Sequence, residues 1–247
     1  MTTPLRQHQI EIQRNRAAWD RKPLLRTLYA QYYERIARLI DAQIPGRVVE
    51  LGSGIGALKT RLQEALLTDL FPNPGLDLVC DGYDMPLHDG AVSHLILFDV
   101  FHHLATPGAF FKEAHRVVAP GGRIILFEPY ISQISLLAYG LFHHEPVAYG
   151  KPIDLSPVAP KSRLYYAAQG NATRLFFRQK QSVWPPGWSL FHAEAFACFS
   201  YLFSGGFSLP AFYPRGCLNW LQRIDAALSR WPRVFGGRCL IGLRRED

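Results

Sequence analysis

Hydrophobic and polar positions along this chain repeat on two periods, and the switches between them lay out its elements. Leu24, Leu25, Leu28, Tyr32, Ile36, Leu39 and Ile40 recur at helical spacing. That pattern predicts an amphipathic helix over residues 23–41, opened by Pro23 and broken at Pro45-Gly46. Tyr29 and Tyr33 fall at the margins of its stripe and are expected to pack. A short apolar strand, Val48-Val49-Glu50-Leu51, then runs into the turn Gly52-Ser53-Gly54-Ile55-Gly56, with a helix expected from about Gly56 to Glu64. Further apolar runs are Ala65–Thr68 before Asp69, Leu76–Cys80 before Asp81, Ser93–Phe98 before Asp99, and Arg123–Phe127 before Glu128-Pro129. Residues 107–119 read as a helix starting at Pro107, with Phe110, Phe111, Ala114, Val117 and Val118 inward and Pro120-Gly121-Gly122 as its stop.

Strands that are apolar on both faces and separated by helices imply a mostly parallel sheet covered on both sides. One interval departs from that plan. Leu70 to Gly75 is too short for a crossover helix, so an extended loop must carry the chain from the second strand to the third. Beyond Tyr130 the pattern loosens into a short apolar helix over 131–143, a proline-rich loop to Lys161, and a helix around 172–180. A strand near Leu190–Phe196, a helical segment over 217–231 and a closing strand Gly237–Leu243 follow. The aromatic stretch Phe199 to Pro214 is expected to be core, with a membrane-facing surface as the alternative. The chain thus divides into an N-terminal helical segment, 1–43, and one domain, 44–247, within which 130–189 reads as a cap over a substrate.

Composition narrows the class. A chain of 247 residues, 48% hydrophobic, suffices for one α/β core. The first twenty residues carry Arg6, Glu11, Arg14, Arg16 and Asp20 without an apolar run, unlike a signal peptide, and no apolar stretch is long enough to span a bilayer. Cys80, Cys198, Cys217 and Cys239 are far apart with no paired motif, as reduced thiols of a cytoplasmic protein would be. The net charge of +7 is spread along the chain, so nucleic acid is not an expected partner.

The chemistry gathers at strand ends: Glu50, Asp69, Asp81, Asp99 and Glu128 all close apolar runs, and in open α/β sheets that edge binds ligands. A glycine turn opening a helix can cradle a pyrophosphate. Glu50, immediately before this one, would repel such a group and suits a ligand with amino or sulfonium charge. Asp69 is placed to accept both hydroxyls of a ribose, and Asp81 an adenine amino proton, with Gly82 leaving room beside the ring.

The segments "VVELGSGIG", "LLTD", "DGYDMPLHDGAVSHLILFDVFHHL" and "EAHRVVAPGGRIILFEP" resemble, in order and spacing, a class I S-adenosylmethionine-dependent methyltransferase of the type 11 kind. The resemblance covers roughly residues 44–130 and, less closely, 185–245. It implies an α/β fold: a seven-stranded, mostly parallel Rossmann-like sheet with its last strand antiparallel, helices on both faces and a helical lid after strand five. S-adenosyl-L-methionine would lie over the strand ends. Glu50, Gly52, Ser53, Gly54 and Gly56 would line its methionine side and Asp69 its ribose. Asp81, Gly82 and Tyr83 would surround adenine, with Met85 packing nearby, and Phe98 and Asp99 would close the pocket.

Methyl transfer is an in-line displacement at carbon that demands alignment and exclusion of water more than a fixed catalytic group. His102 and His103 are the candidate general bases. Tyr130 and the cluster His143, His144 and Glu145 are candidate substrate contacts. A metal at these histidines would suit zinc or iron, but no helical His pair supports it and none is expected. The aromatic content of the cap, including Tyr149, Phe176, Phe177 and Trp188, favours a small apolar, aromatic or lipid-like acceptor. The alternatives are a non-catalytic cofactor-binding protein and an NAD-dependent oxidoreductase. A nucleic-acid methyltransferase would need a flipped-base motif, and none occurs.

Overall fold

The computed structural model describes residues 4–142, 146–161, 166–178 and 185–246. Seven strands form one sheet: β1 (Arg47–Leu51), β2 (Leu66–Asp69), β3 (Leu78–Val79), β4 (Val92–Phe98), β5 (Val118–Pro129), β6 (Trp188–Phe196) and β7 (Arg238–Arg245). Their spatial order is β3-β2-β1-β4-β5-β7-β6. β1 to β5 pair in parallel, and β7 runs antiparallel between β5 and β6. The mostly parallel sheet with an antiparallel last strand is therefore as expected, and the order reverses beside β1, where ligands of such sheets bind.

Helices α1 (Pro4–Arg21) and α2 (Pro23–Ala37) precede the sheet, and α3 (Pro107–Val117) joins β4 to β5. After β5 come α4 (Gln133–Phe142) and a short turn α5 (Asn171–Thr173), which continues as a π-helical turn over Arg174–Arg178. Helices α6 (Phe199–Phe203), α7 (Leu218–Leu228) and α8 (Pro232–Phe235) lie between β6 and β7. β4 is buried along its whole length, as a central strand covered on both faces must be, and its polar Ser93 and His94 are hydrogen-bonded. On one face of the sheet Phe101, Phe110, Phe111, Val117 and Leu126 form a core. On the other, the three tyrosines of α2 pack with Phe98, Phe127 and Phe196, so Tyr29 and Tyr33 are structural.

Four local expectations change. The helix from Gly56 to Glu64 is only a 3₁₀ turn, Ala57–Thr60. Gly52 to Ala65 must make the glycine turn and return along β1 within a short linker, and a 3₁₀ turn advances farther per residue than an α-helix. Pro120-Gly121-Gly122 lies inside β5, where the β4–β5 register shifts. The stretch Phe199 to Pro214 is not core throughout: Tyr201 and Phe207 pack inward, while Leu202, Phe203, Leu209 and Phe212 are exposed. The helix at 172–180 is mostly the π turn, and residues 179 and 180 lie outside the described residues.

Candidate functional site

Glu50 enters the site because β1 alternates and ends there. Its side chain is buried and its Oε2 accepts no hydrogen bond. Burial pushes its pKa up to about 8, with a hydrogen bond from Ser53 pulling the other way and neighbouring Asp69 adding to the rise. The turn that follows is tight. Gly52, Gly54 and Gly56 all have positive φ; at Gly52 a Cβ would stand 2.4 Å from Val100 Cγ2, whereas at Gly54 it would meet nothing. The Ser53 hydroxyl donates to the Glu50 carbonyl at 3.1 Å and accepts from Thr68 N at 3.0 Å, tying the turn to β2.

Asp69 closes β2. Its Oδ2 accepts from Gly54 N at 3.0 Å and its Oδ1 from Leu70 N at 2.7 Å. Burial raises its pKa, against which His8 and those backbone donors act. His8, on α1, was not singled out by sequence. Its Nε2 lies 3.9 Å from Asp69 Oδ2, beyond hydrogen-bond reach, and has no hydrogen-bond partner. Its ring lies 5.4 Å from that of Phe71. Arg16 of the same helix donates to the carbonyls of Ile55 and Pro74, so α1 spans the loops after β1 and β2. Two buried polar atoms without partners, Glu50 Oε2 and His8 Nε2, therefore flank Asp69. A ligand offering an ammonium and hydroxyls fits that donor and acceptor set.

The loop after β3 is held from behind. Asp81 Oδ1 accepts from Tyr83 N at 3.0 Å in a tight turn. Glu113 Oε1 accepts from Met85 N at 2.8 Å, and Arg116 donates to the carbonyls of Met85 and Leu87. The "EAHR" segment thus positions the "DGYDMPL" segment, a physical reason for their spacing. Met85 is core, and Gly82 lies against that core: a Cβ there would stand 2.9 Å from Leu51 Cδ2, the end of that side chain. The Tyr83 hydroxyl accepts from Thr106 N at 3.2 Å.

At the end of β4, Phe98 stacks between Tyr29 and Phe127, and Asp99 adopts a left-handed φ of 56°, strain of the kind stored at functional sites. Asp99 pairs with Arg238. Burial disfavours the Arg238 cation, and Asp99 together with Tyr201 and Tyr29 outweighs this, so its pKa is raised. Arg238 was missed because it opens the last strand. That strand is antiparallel, so its first residue lies opposite Pro129 at the carboxyl edge of β5.

Glu128 ties the site's floor together. Its Oε1 accepts from Val100 N at 2.8 Å and Phe101 N at 2.7 Å, and its Oε2 lies 2.6 Å from His102 Nδ1. The insertion after β5 covers this turn: Ala168 N donates to the His102 carbonyl at 2.9 Å, and His103 Nδ1 lies 2.9 Å from the Tyr166 carbonyl. Ligand atoms of Asp99, His102 and Glu128 fall within 4.8 Å of one another. A cation there would compete with the Arg238 guanidinium for Asp99 and face the two amide protons on Glu128, so the donor set does not fit a metal. Tyr130 is buried with its ring edge-on to Phe177 at 5.1 Å. Phe176 packs against Phe101, and Trp188 Nε1 donates to the Phe111 carbonyl. Much of the cap's aromatic content is therefore internal packing. His143, His144 and Glu145 lie outside the described residues.

Residues 49–126 match the family model described as Methyltransferase domain. Among solved structures, a chain of the complex of the Haloferax volcanii Trm112 methyltransferase activator with a proposed methyltransferase aligns at 18% identity, covering 96% of this chain and 94% of that one, with TM-score 0.52. The [4+2]-cyclase SpnF aligns at 13% identity over 87% and 81% of the two chains, with TM-score 0.52. An S-adenosylmethionine-dependent methyltransferase from Thermotoga maritima aligns at 13% identity over 91% of each chain, with TM-score 0.50. No curated protein matches the sequence. The chain has the fold of class I S-adenosylmethionine-dependent methyltransferases, and its likeness to the methyltransferase-domain family is confined to residues 49–126. No helix among the described residues is long and apolar enough to cross a membrane.

Proposed function

We propose that this protein transfers a methyl group from S-adenosyl-L-methionine to a small apolar or aromatic acceptor by in-line displacement. The observation that carries the reading is the buried, unpartnered Oε2 of Glu50 beneath a glycine-rich turn. When bound, the cofactor supplies an electrophilic methyl group on a sulfonium. Glu50 then faces the charged amino-acid end, Gly54 leaves space for it, and Asp69 with His8 holds the ribose hydroxyls. Asp81 and Tyr83 border the adenine. Asp99, fixed by Arg238, closes the pocket toward the acceptor. His102, oriented by Glu128, is the general base for an acceptor that must lose a proton, and His103 stands beside it. Residues 130–189 are the substrate cap, and Tyr130, His143, His144 and Glu145 belong to its acceptor side.

A non-catalytic or differently reacting cofactor-binding protein is the second reading. It draws support from the cap's hydrogen bonds across His102 and His103 and from the likeness to a [4+2]-cyclase. Nicotinamide chemistry is disfavoured because a pyrophosphate brings acceptors only and no cation to satisfy the buried, unpartnered Glu50 Oε2, whereas an ammonium donates to it. Calorimetry with S-adenosylhomocysteine and NAD should give binding of the first alone. Transfer of radiolabelled methyl to a cell extract, lost in Asp69→Ala, would establish catalysis; cofactor binding without transfer would favour the second reading.

A further inference from the structure

The segment between β6 and β7 carries a surface that the proposed chemistry does not use. Helix α6 turns its serines inward: Ser200 and Asp225 of α7 hydrogen-bond, and Asp225 also accepts from Phe199 N and Ser200 N. Satisfying that buried carboxylate leaves the large side chains of α6 outside. Leu202 is 51% exposed and Phe203 43%. The loop that follows folds back on the helix through Phe212 N to the Phe203 carbonyl and Leu209 N to the Gly205 carbonyl. It presents Leu209 at 55% and Phe212 at 67% exposure. Four large apolar side chains thus stand out from one small knuckle, more than scattered surface residues would supply. Trp220 of α7, on the helix side away from buried Leu218, is 63% exposed.

The exposed charge on this segment itself has one sign. From Ala195 to Arg245 the sole carboxylate is Asp225, which is buried and committed as above. Arg215, Arg223, Arg230 and Arg233 are exposed. On the neighbouring edge of α1 and α2, Lys22 donates to the carbonyls of Gly206 and Leu209. Arg14, Arg21 and Glu11 line a cavity of about 410 Å³ against Phe207 and Ser208, and Glu11 is the acid on that border.

We infer that the 199–223 knuckle is an interfacial anchor for an anionic phospholipid surface, with Leu202, Phe203, Leu209 and Phe212 entering the headgroup boundary and Arg215 and Arg223 pairing with lipid charge. Projecting apolar tips beside cations and a tryptophan are what such binding requires. Each arginine near an anionic surface favours it by roughly fivefold. A second copy of the chain is a poorer occupant, because a two-fold contact would set these arginines against each other with no exposed acid on the segment to pair with them. The inference does not depend on methyl transfer.

The test is co-sedimentation of the full chain with phosphatidylcholine vesicles, with and without phosphatidylglycerol, alongside Leu209→Ser/Phe212→Ser and Arg215→Glu/Arg223→Glu. The inference expects binding to the anionic vesicles that weakens with salt, a loss of about tenfold or more in the serine variant, and loss of the anionic preference in the glutamate variant. All four substituted side chains are exposed, so melting temperatures should match the parent. No sedimentation, equal binding to neutral vesicles, or binding indifferent to the serine pair would overturn it. So would a dimer in sedimentation velocity that the serine pair disperses, since the knuckle would then be a self-interface.

Discussion

The two ends of the sheet place their carboxylates in opposite ways. From β1 to β5, Glu50, Asp69, Asp81, Asp99 and Glu128 all stand at the carboxyl ends of strands, and three of them are buried. Beyond β6 a long segment holds one acid, Asp225, used to cap α6, and turns its apolar side chains outward. The first region concentrates groups that are costly to bury unless a ligand or a partner satisfies them. The second buries its only carboxylate with full hydrogen bonding and leaves its hydrophobic surface unmatched. A binding pocket and a docking surface are thus distinguishable by which kind of group is left without a partner.

The sharpest way to break that contrast is at Glu128, whose carboxylate serves two amides and His102. Glu128→Ala should cost about 3–5 kcal/mol in chemical denaturation, because it strands buried donors. A loss near zero would mean the site's floor is not organised through this residue.

Glu50 tests the pocket from the other direction. Its folded pKa, raised by burial from 4.5 to about 8, makes its stabilising contribution complete below pH 4.5 and lost as pH rises toward 8. Glu50→Gln should therefore be more stable than the parent at pH 8, by about 4 kcal/mol, with the gain shrinking to nothing near pH 4.5. The same variant should bind S-adenosylhomocysteine less well, stability and function being opposed at this position. A pH-independent difference in melting temperature would contradict the assignment.

The smallest effect belongs to His8. His8→Ala should weaken S-adenosylhomocysteine binding by roughly fivefold, about 1 kcal/mol, without altering the melting temperature. Unchanged affinity would leave α1 a cover without a ligand contact.

Much of the row of strand-end carboxylates was legible in sequence because the sheet concentrates its signal. β4 and β5 finish in apolar runs closed by acids, and β1 carries Val48-Val49 into Glu50, so each strand end and its carboxylate could be placed from spacing alone. The missing helix before β3 was readable from loop length. What escaped reading depends on contacts distant in sequence. His8 lies on a mostly polar helix, and only the fold brings it to Asp69. Arg238 reaches Asp99 because β7 runs antiparallel. The 199–214 stretch reads as core by composition, and the hydrogen-bonding demand of Asp225 from the next helix is what turns it outward. Gly82 and Met85, expected beside adenine, show packing roles that no motif distinguishes from ligand contacts.

The central claim is that the carboxyl of Glu50 waits, protonated, for a positively charged ligand group. Calorimetric titration with S-adenosylhomocysteine at pH 7, in two buffers of different ionisation enthalpy, measures it directly. Binding should release about one proton in the parent and none in Glu50→Gln. Binding with no proton exchange, or no affinity for the adenosyl compound at all, would contradict it.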